Sequence, residues 1–128
     1  MPTVLELGLE QRRRYVEAAR RSLAQSAVTV EDPSVRARLL ERVRRSAADL
    51  KTRFGVQRVI VFGSLAQPEW FAPNSDVDIA VEGLHAADYW DAWRLLEDAI
   101  RERQVDLVDL EAAGAGLRRS IERYGIEL

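Results

Sequence analysis

Four stretches of the chain place apolar residues every three or four positions, as a helix with one buried face does. They cover residues 5–25, 33–54, 85–103 and 114–124. The second stretch has the clearest ends, because Asp32 and Pro33 suit the cap and first position of a helix and Gly55 suits its termination. The first two stretches are expected to pair as an N-terminal helical hairpin. In the last two, the apolar stripes include Trp90 and Tyr124, which are therefore expected to pack inward.

Short β-branched runs bounded by turn residues predict buried strands between these helices. The strands cover residues 58–62, 76–81 and 105–110, with a brief edge strand at 126–128. This order predicts an α/β (α+β) fold in which a small mixed sheet of three to four strands has helices packed on one side. No repeat or long linker interrupts the pattern, so we expect one domain over residues 1–128. Residues 1–31 would form a helical extension of this domain and residues 32–128 its core.

Acidic residues stand in two of the predicted strands. Asp76 and Asp78 are two positions apart and project from the same face of a strand, whereas Val77 points into the core. Neighbouring carboxylates repel unless a cation lies between them, and Mg²⁺ prefers oxygen ligands of this kind. Asp106 has an apolar setting in the third strand, and it reaches the same metal if that strand lies beside the second. The three acids therefore predict a metal site.

Gly63 and Ser64 end the first strand abruptly. Glycine allows close backbone approach, and free amides with a hydroxyl at a strand-to-helix turn can hold a phosphate. Each motif alone is common, since Asp-x-Asp is often a solvent-facing strand end and Gly-Ser is often an ordinary turn. Their order and spacing, followed by a third acid one helix later, favour a nucleotide site.

The Gly-Ser pair, the Asp-x-Asp motif and the following Val-Asp-Leu-Val strand resemble the DNA polymerase β-type nucleotidyltransferase superfamily. Within it, residues 50–128 are similar to the minimal nucleotidyltransferases, the antitoxin partners of HEPN-domain toxins. The resemblance implies catalysis and binding of two Mg²⁺ ions by Asp76, Asp78 and Asp106. It also implies that Gly63 and Ser64 bind the phosphates of ATP. The reaction implied is transfer of AMP from ATP to a protein hydroxyl, a tyrosine of the cognate HEPN toxin ribonuclease.

The chain departs from the family pattern at Gln67 and Pro68, where the family usually has Arg and Gly. An arginine that could neutralise phosphate charge is therefore missing, and one alternative is an antitoxin that has lost catalysis and neutralises its partner by binding. A second alternative is nucleotidyl transfer to an antibiotic or another small molecule. Trp70 and Phe71 either stack on a nucleobase, dock a partner or cover the sheet edge. His85 is expected to be a plain turn residue.

Composition narrows the class of protein. The chain is 47% hydrophobic and 31% charged, which is typical of a soluble globular protein. It has no cysteine, so neither disulfides nor thiolate metal sites are expected, and it has no apolar run of membrane-spanning length. We expect a cytoplasmic protein with no membrane contact and no direct contact with nucleic acid.

The net charge of −2 hides an asymmetry along the chain. Residues 1–58 hold thirteen basic and seven acidic residues, for +6, whereas residues 59–128 hold six and fourteen, for −8. An acidic site end and a basic helical end suit a metal–nucleotide site and a charged partner, although the basic half equally suits solvated helix faces. Whether residues 5–25 form a homo-oligomer with a second copy or a hetero-oligomer with another protein stays open.

Overall fold

The computed structural model describes residues 30–128. This part of the chain contains three α-helices and four strands, in the order α1 (Pro33–Phe54), β1 (Arg58–Phe62), β2 (Val77–Glu82), α2 (Tyr89–Ala99), β3 (Val105–Asp109), α3 (Ala115–Tyr124) and β4 (Ile126–Glu127). Short 3-10 turns follow β1 and precede α2. The helix predicted over residues 5–25, and the hairpin it would form with α1, lie outside the described residues.

The predicted ends of α1 are confirmed. The Asp32 carboxylate accepts a hydrogen bond of 2.8 Å from the backbone N–H of Ser34, and Pro33 occupies the first turn. At the other end, Gly55 has the left-handed φ of 68°, and its N–H donates to the carbonyl of Lys51 at 3.2 Å. Both ends therefore satisfy backbone groups that a bare helix terminus would leave without partners.

The sheet is mixed, as predicted, with the strand order β3-β2-β1-β4. β1 runs antiparallel to both β2 and β4, whereas β2 and β3 are parallel. Parallel neighbours need a crossover connection, and α2 lies within the one that joins them. The predicted brief edge strand at the C-terminal end is confirmed as β4, which leaves β3 as the other edge of the sheet.

The two faces of the sheet pack against different helices. On one face, α1 and α2 bury alternate strand residues, among them Val59, Val61, Val77, Ile79, Val81, Val105 and Leu107. On the other face, Leu117 and Ile121 of α3 pack on Ile60, Phe62 and Ala80. Helices were expected on one side only. α1 and α2 do share a side, but α3 covers part of the opposite face because its two apolar residues meet the second set of alternate strand positions.

α2 is shorter than the predicted helix over residues 85–103. A 3-10 turn at Ala86–Asp88 precedes it, and the helix ends at Ala99. Beyond that point the chain turns so that the side chain of Arg103 reaches the backbone carbonyls of Ala72 and Ser75. In the described part of the chain, every helix is too short or too polar to traverse a lipid bilayer.

Two aromatic residues were wrongly expected to pack inward. The side chain of Trp90 is 67% exposed and that of Tyr124 is 57% exposed. The buried stripe of α2 contains Ala92 and Leu96, and Trp90 lies outside it. Tyr124 is the last residue of α3, where the guanidinium of Arg123 lies 5.4 Å from the centre of its ring.

Candidate active site

Strand pairing brings two of the predicted acids together. Asp78 is paired with Phe62 across the antiparallel β1–β2 ladder and with Asp106 across the parallel β2–β3 ladder. Directly paired residues point to the same face of a sheet, so Asp78 and Asp106 lie side by side on the face that α3 partly covers. Asp78 is 7% exposed and Asp106 is half-buried. Asp76 lies one residue before β2, where it is exposed, and not within the strand as predicted.

Gly63 fits against the carboxylate of Asp78. Its φ of 69° lies in the left-handed region that L side chains rarely adopt. A Cβ atom at this position would also lie 2.2 Å from Oδ2 of Asp78, which is too close for any real contact. Glycine is therefore required for two reasons, the positive φ of the backbone and the lack of space for a Cβ atom. The Gly-Ser turn thus lies directly against Asp78 of the acidic pair.

The Gly-Ser turn is also held from α1. Ser64 is buried within the 3-10 turn, and the guanidinium of Arg36 donates a hydrogen bond of 3.0 Å to the carbonyl of Leu65. A hydrogen bond between a charged donor and a carbonyl is stronger than one between neutral groups. No local pattern along the chain indicated this role of Arg36, since its partner lies 29 positions away.

The loop that precedes Asp76 is fixed by one buried cation. The Arg103 side chain, only 6% exposed, donates to the carbonyls of Ala72 at 2.8 Å and Ser75 at 3.1 Å. It also pairs with Glu31 at 2.6 Å. No periodic pattern in the sequence pointed to Arg103, because its partners come from two distant segments.

The burial of Phe71, Trp70 and His85 bears on the roles that the sequence suggested for them. Phe71 is fully buried beneath the guanidinium of Arg103, so it is not available to stack on a nucleobase. Trp70 is half-buried, and His85 is an exposed turn residue, as expected. Asp109, at the end of β3, is half-buried, and its carboxylate accepts a hydrogen bond from the N–H of Glu111.

The acidic pair has suitable donors for Mg²⁺, which prefers hard carboxylate oxygens. Within residues 30–128, no group of three or more acidic or histidine side chains forms a cluster that could hold a metal. Mg²⁺ is usually held by one or two carboxylates, together with water and the phosphates of a substrate. The pairing of Asp78 with Asp106 therefore fits a metal that binds together with a nucleotide.

Comparison with protein families gives a match over most of this fold. The family described as polymerase beta, nucleotidyltransferase matches residues 47–128, which include β1 to β4 and all five predicted site residues. No curated protein matches the chain.

Solved structures agree with the family match. The chain is similar to a toxin–antitoxin complex with AMP-PNP, at 29% identity and a TM-score of 0.55, over 68% of this chain and 69% of that chain. It is similar to a candidate minimal nucleotidyltransferase at 32% identity and a TM-score of 0.59, over 70% and 92% of the two chains. For the MntA–HepT toxin–antitoxin complex, the identity is 26%, the TM-score 0.51 and the coverage 70% and 68%. As the resemblance in the sequence implied, the chain belongs to the polymerase beta nucleotidyltransferase family.

Proposed function

We propose that this protein transfers AMP from ATP to a hydroxyl of a partner protein and so acts as the antitoxin of a HEPN toxin ribonuclease. The acceptor would be a tyrosine of that toxin, and we assign the reaction to the cytoplasm. The solved neighbours include toxin–antitoxin complexes, one of which contains AMP-PNP, and this supports an adenine nucleotide as the substrate.

The observation that carries the proposal is the contact between Gly63 and Asp78, beside Asp106. It places a turn with no side chain at Gly63 directly against two paired carboxylates. A triphosphate needs close backbone approach on one side and, through its metal, carboxylate oxygens on the other. An ordinary turn beside a solvent-facing strand end would require neither the close contact nor the burial of Asp78.

Each site residue then has a distinct task. Asp76 and Asp78 would hold Mg²⁺, which neutralises phosphate charge and lowers the pKa of a bound hydroxyl. Gly63 and Ser64 would bind the β- and γ-phosphates and so keep the leaving group in line. Asp106 would also bind Mg²⁺ and would help to take the proton of the attacking hydroxyl. A bond forms between the hydroxyl oxygen and the α-phosphorus, the bond from that phosphorus to the β-phosphate oxygen breaks, and pyrophosphate leaves.

A binding-only antitoxin is the second candidate, and one observation favours it. Gln67 and Pro68 replace the family's Arg and Gly, so a phosphate-binding cation is missing from this turn. On this alternative, the protein would neutralise its partner by covering it, without chemistry.

A transfer assay distinguishes these two functions. It uses ATP that is labelled on either the α- or the γ-phosphorus. The acceptor is the product of the adjacent gene, incubated with the protein and Mg²⁺. We expect label from α-labelled ATP alone, with transfer reduced at least about 100-fold in Asp78→Asn. Asp49→Asn, which changes an exposed acid on α1, is the matched control and should behave like the parent.

Two results would contradict the transferase. One is label from γ-labelled ATP, which indicates a kinase, and the other is equal transfer by the parent and Asp78→Asn. If the double variant Asp78→Asn and Asp106→Asn still neutralises the partner, the binding-only antitoxin is the correct function.

A further inference from the structure

The start of α1, residues 31–36, contacts both turns that lead into the candidate site. The guanidinium of Arg36 donates to the carbonyl of Leu65 at 3.0 Å, in the Gly-Ser turn. Nearer the beginning of the segment, the backbone N–H of Glu31 donates to the carbonyl of Phe71 at 2.7 Å. One short segment therefore binds the Gly-Ser turn through one residue and the loop before β2 through another.

Arg103 extends the contact of Glu31 to the acids of the site. The Glu31 carboxylate pairs with the Arg103 guanidinium at 2.6 Å, and their side chains are only 14% and 6% exposed. The same guanidinium donates to two carbonyls of the loop before β2, one of which belongs to Ser75, the residue before Asp76. Arg103 itself lies three positions before Asp106. The buried ion pair thus joins the start of α1 to the segments that lead into both acids.

The loop before β2 has a defined shape of its own. The N–H of Ala72 donates to the Ser75 hydroxyl at 2.9 Å, and the N–H of Ser75 donates back to the Ala72 carbonyl at 3.0 Å. These bonds close the loop on itself, whereas Arg103 and the N–H of Glu31 attach it to the rest of the protein. Because Asp76 lies just before β2, its direction depends on how that loop is held.

Within the described residues, these two sets of contacts share no partner. The turn that Arg36 holds has the amides proposed to bind phosphate, and preorganised donors stabilise an anion better than mobile ones. The loop that Arg103 holds leads to a proposed metal ligand, and hydrogen bonds that orient a ligand raise metal affinity. A change at either contact should therefore affect one half of the site and not the other.

We propose that Arg36 and Glu31 are positioning residues that act on the two halves of the site separately. Arg36 orients the Gly-Ser turn for the phosphates, and Glu31, through Arg103, orients Asp76 for the metal. That these halves bind Mg²⁺-ATP rests on the function proposed above. The separate attachment of the two turns rests on the contacts alone, so it can be tested on the protein without ligand.

Two amides report how firmly each turn is held. The N–H of Gln67 donates to the carbonyl of Ser64 at 3.0 Å within the Gly-Ser turn, and the N–H of Ser75 closes the loop before β2. Hydrogen exchange at these amides, measured by NMR, gives the free energy of local opening. The amide of Ile79, in a central strand, reports global unfolding and is the reference.

Removing each contact should loosen one turn only. We expect Arg36→Met to speed exchange at Gln67 about tenfold relative to the reference and to leave Ser75 unchanged. Glu31→Met should speed exchange at Ser75 by a similar factor and leave Gln67 unchanged. Arg38→Met, which changes an exposed arginine on α1, is the matched control and should alter neither amide.

Calorimetry with Mg²⁺ and ATP tests what the two turns bind. Arg36→Met should weaken ATP binding about tenfold even at saturating Mg²⁺, because the phosphates lose an ordered turn. Glu31→Met should instead raise about tenfold the Mg²⁺ concentration needed for half-maximal ATP binding. Arg36→Lys and Glu31→Gln should retain part of the parent's affinity, since the first can still donate to the carbonyl and the second can still accept from the guanidinium. A contact that only stabilised the fold would not divide the two effects in this way.

Equal acceleration of exchange at Gln67 and Ser75 in either methionine variant, or no acceleration in either, overturns the proposal. Should a methionine variant fail to fold by circular dichroism, Arg36→Lys or Glu31→Gln takes its place in both measurements. If exchange divides as expected but the parent does not bind Mg²⁺-ATP, the proposed transferase fails and the separate attachment of the two turns stands. If the parent binds Mg²⁺-ATP and transfers AMP while every variant binds as it does, the positioning roles fail and the transferase stands.

Discussion

Asp78 and Ile79 are adjacent in β2 but belong to opposite faces of the sheet. Ile79 is fully buried beneath α1 and α2, where its neighbours on the other strands are also apolar. Asp78 lies on the face that α3 covers only in part, next to Asp106 and Gly63. The first face excludes water and stabilises the fold, whereas the second keeps polar groups at one end of the sheet.

The comparison shows how one short strand can serve both purposes. Because side chains alternate between faces, a shift of β2 by one residue would place Ile79 in the site and Asp78 in the core. Pairing on both sides opposes such a shift, since Asp78 is aligned with Phe62 and with Asp106 at once. The register of β2 is therefore as important for the site as the acids themselves.

Placing an acid on the sheet face that α1 and α2 cover should have the largest effect on stability. Ile79→Asp buries a carboxylate among apolar side chains, and we expect the free energy of unfolding to fall by more than about 4 kcal/mol. Urea denaturation followed by circular dichroism measures it. Asp78→Asn, one residue away, conserves volume and polarity and should cost far less. Similar losses in the two variants would contradict the division between the faces.

Removing the cation that fixes the loop before Asp76 should have the next largest effect. Arg103→Met keeps the length of the side chain but leaves Glu31 and two carbonyls without their donor. Breaking a buried ion pair in this way costs about 3 kcal/mol or more. Arg101→Met, which changes an exposed arginine two residues earlier, is the control for urea denaturation. If both variants unfold at the same urea concentration, the Arg103 contacts do not hold the loop.

Local signals in the sequence predicted much of this fold. Asp32, Pro33 and Gly55 identified the ends of α1 because capping depends on neighbouring residues alone. Short β-branched runs bounded by turn residues identified the strands, and the mixed sheet followed. The identity of the acids was also readable, because a charged residue such as Asp106 between apolar neighbours is rare in a buried strand.

Contacts between distant segments could not be predicted. The three partners of Arg103 come from segments 28 to 72 positions away, and no local pattern records such distances. The side of the sheet that α3 covers is likewise decided by tertiary packing. Trp90 was misjudged because a helical stripe of apolar residues does not indicate where the buried stripe ends and an exposed surface begins.

Gly63→Ala should have a moderate effect on stability and a larger one on the site. The left-handed backbone costs about 1–2 kcal/mol for a residue with a Cβ atom. The carboxylate of Asp78 must also move, because the added atom would lie 2.2 Å from it. Gly55→Ala is the matched control, since Gly55 has a similar φ of 68° but open space around it. Calorimetry should show loss of Mg²⁺-ATP binding in Gly63→Ala alone, and retained binding would contradict the predicted role of this contact.

The smallest effect on stability is expected from removing an ion pair between α1 and the segment that follows α2. Arg42 of α1 pairs with Glu102, at 2.9 Å for one of its two contacts, and this hydrogen bond lowers the pKa of the Glu102 carboxyl while partial burial opposes it. Both side chains are more than a third exposed, so solvent screening limits the pair to about 0.2–1 kcal/mol. Removing the charge of Glu102 should therefore lower the free energy of unfolding less than a substitution on either buried face of the sheet.

The effect of that pair should depend on pH. Because the pKa of Glu102 is lower in the folded protein, its contribution is complete above the ordinary glutamate pKa of about 4.3 and is lost as the pH falls through the folded value. Glu102→Gln should thus be less stable than the parent at pH 7, and the difference should shrink at a pH low enough to protonate the carboxyl in the folded parent. Asp98→Asn, which removes the charge of an exposed acid on α2, is the control variant for urea denaturation at the same pH values. A Glu102→Gln difference that is the same at both pH values would mean that packing, and not charge, makes the contact between α1 and the segment after α2.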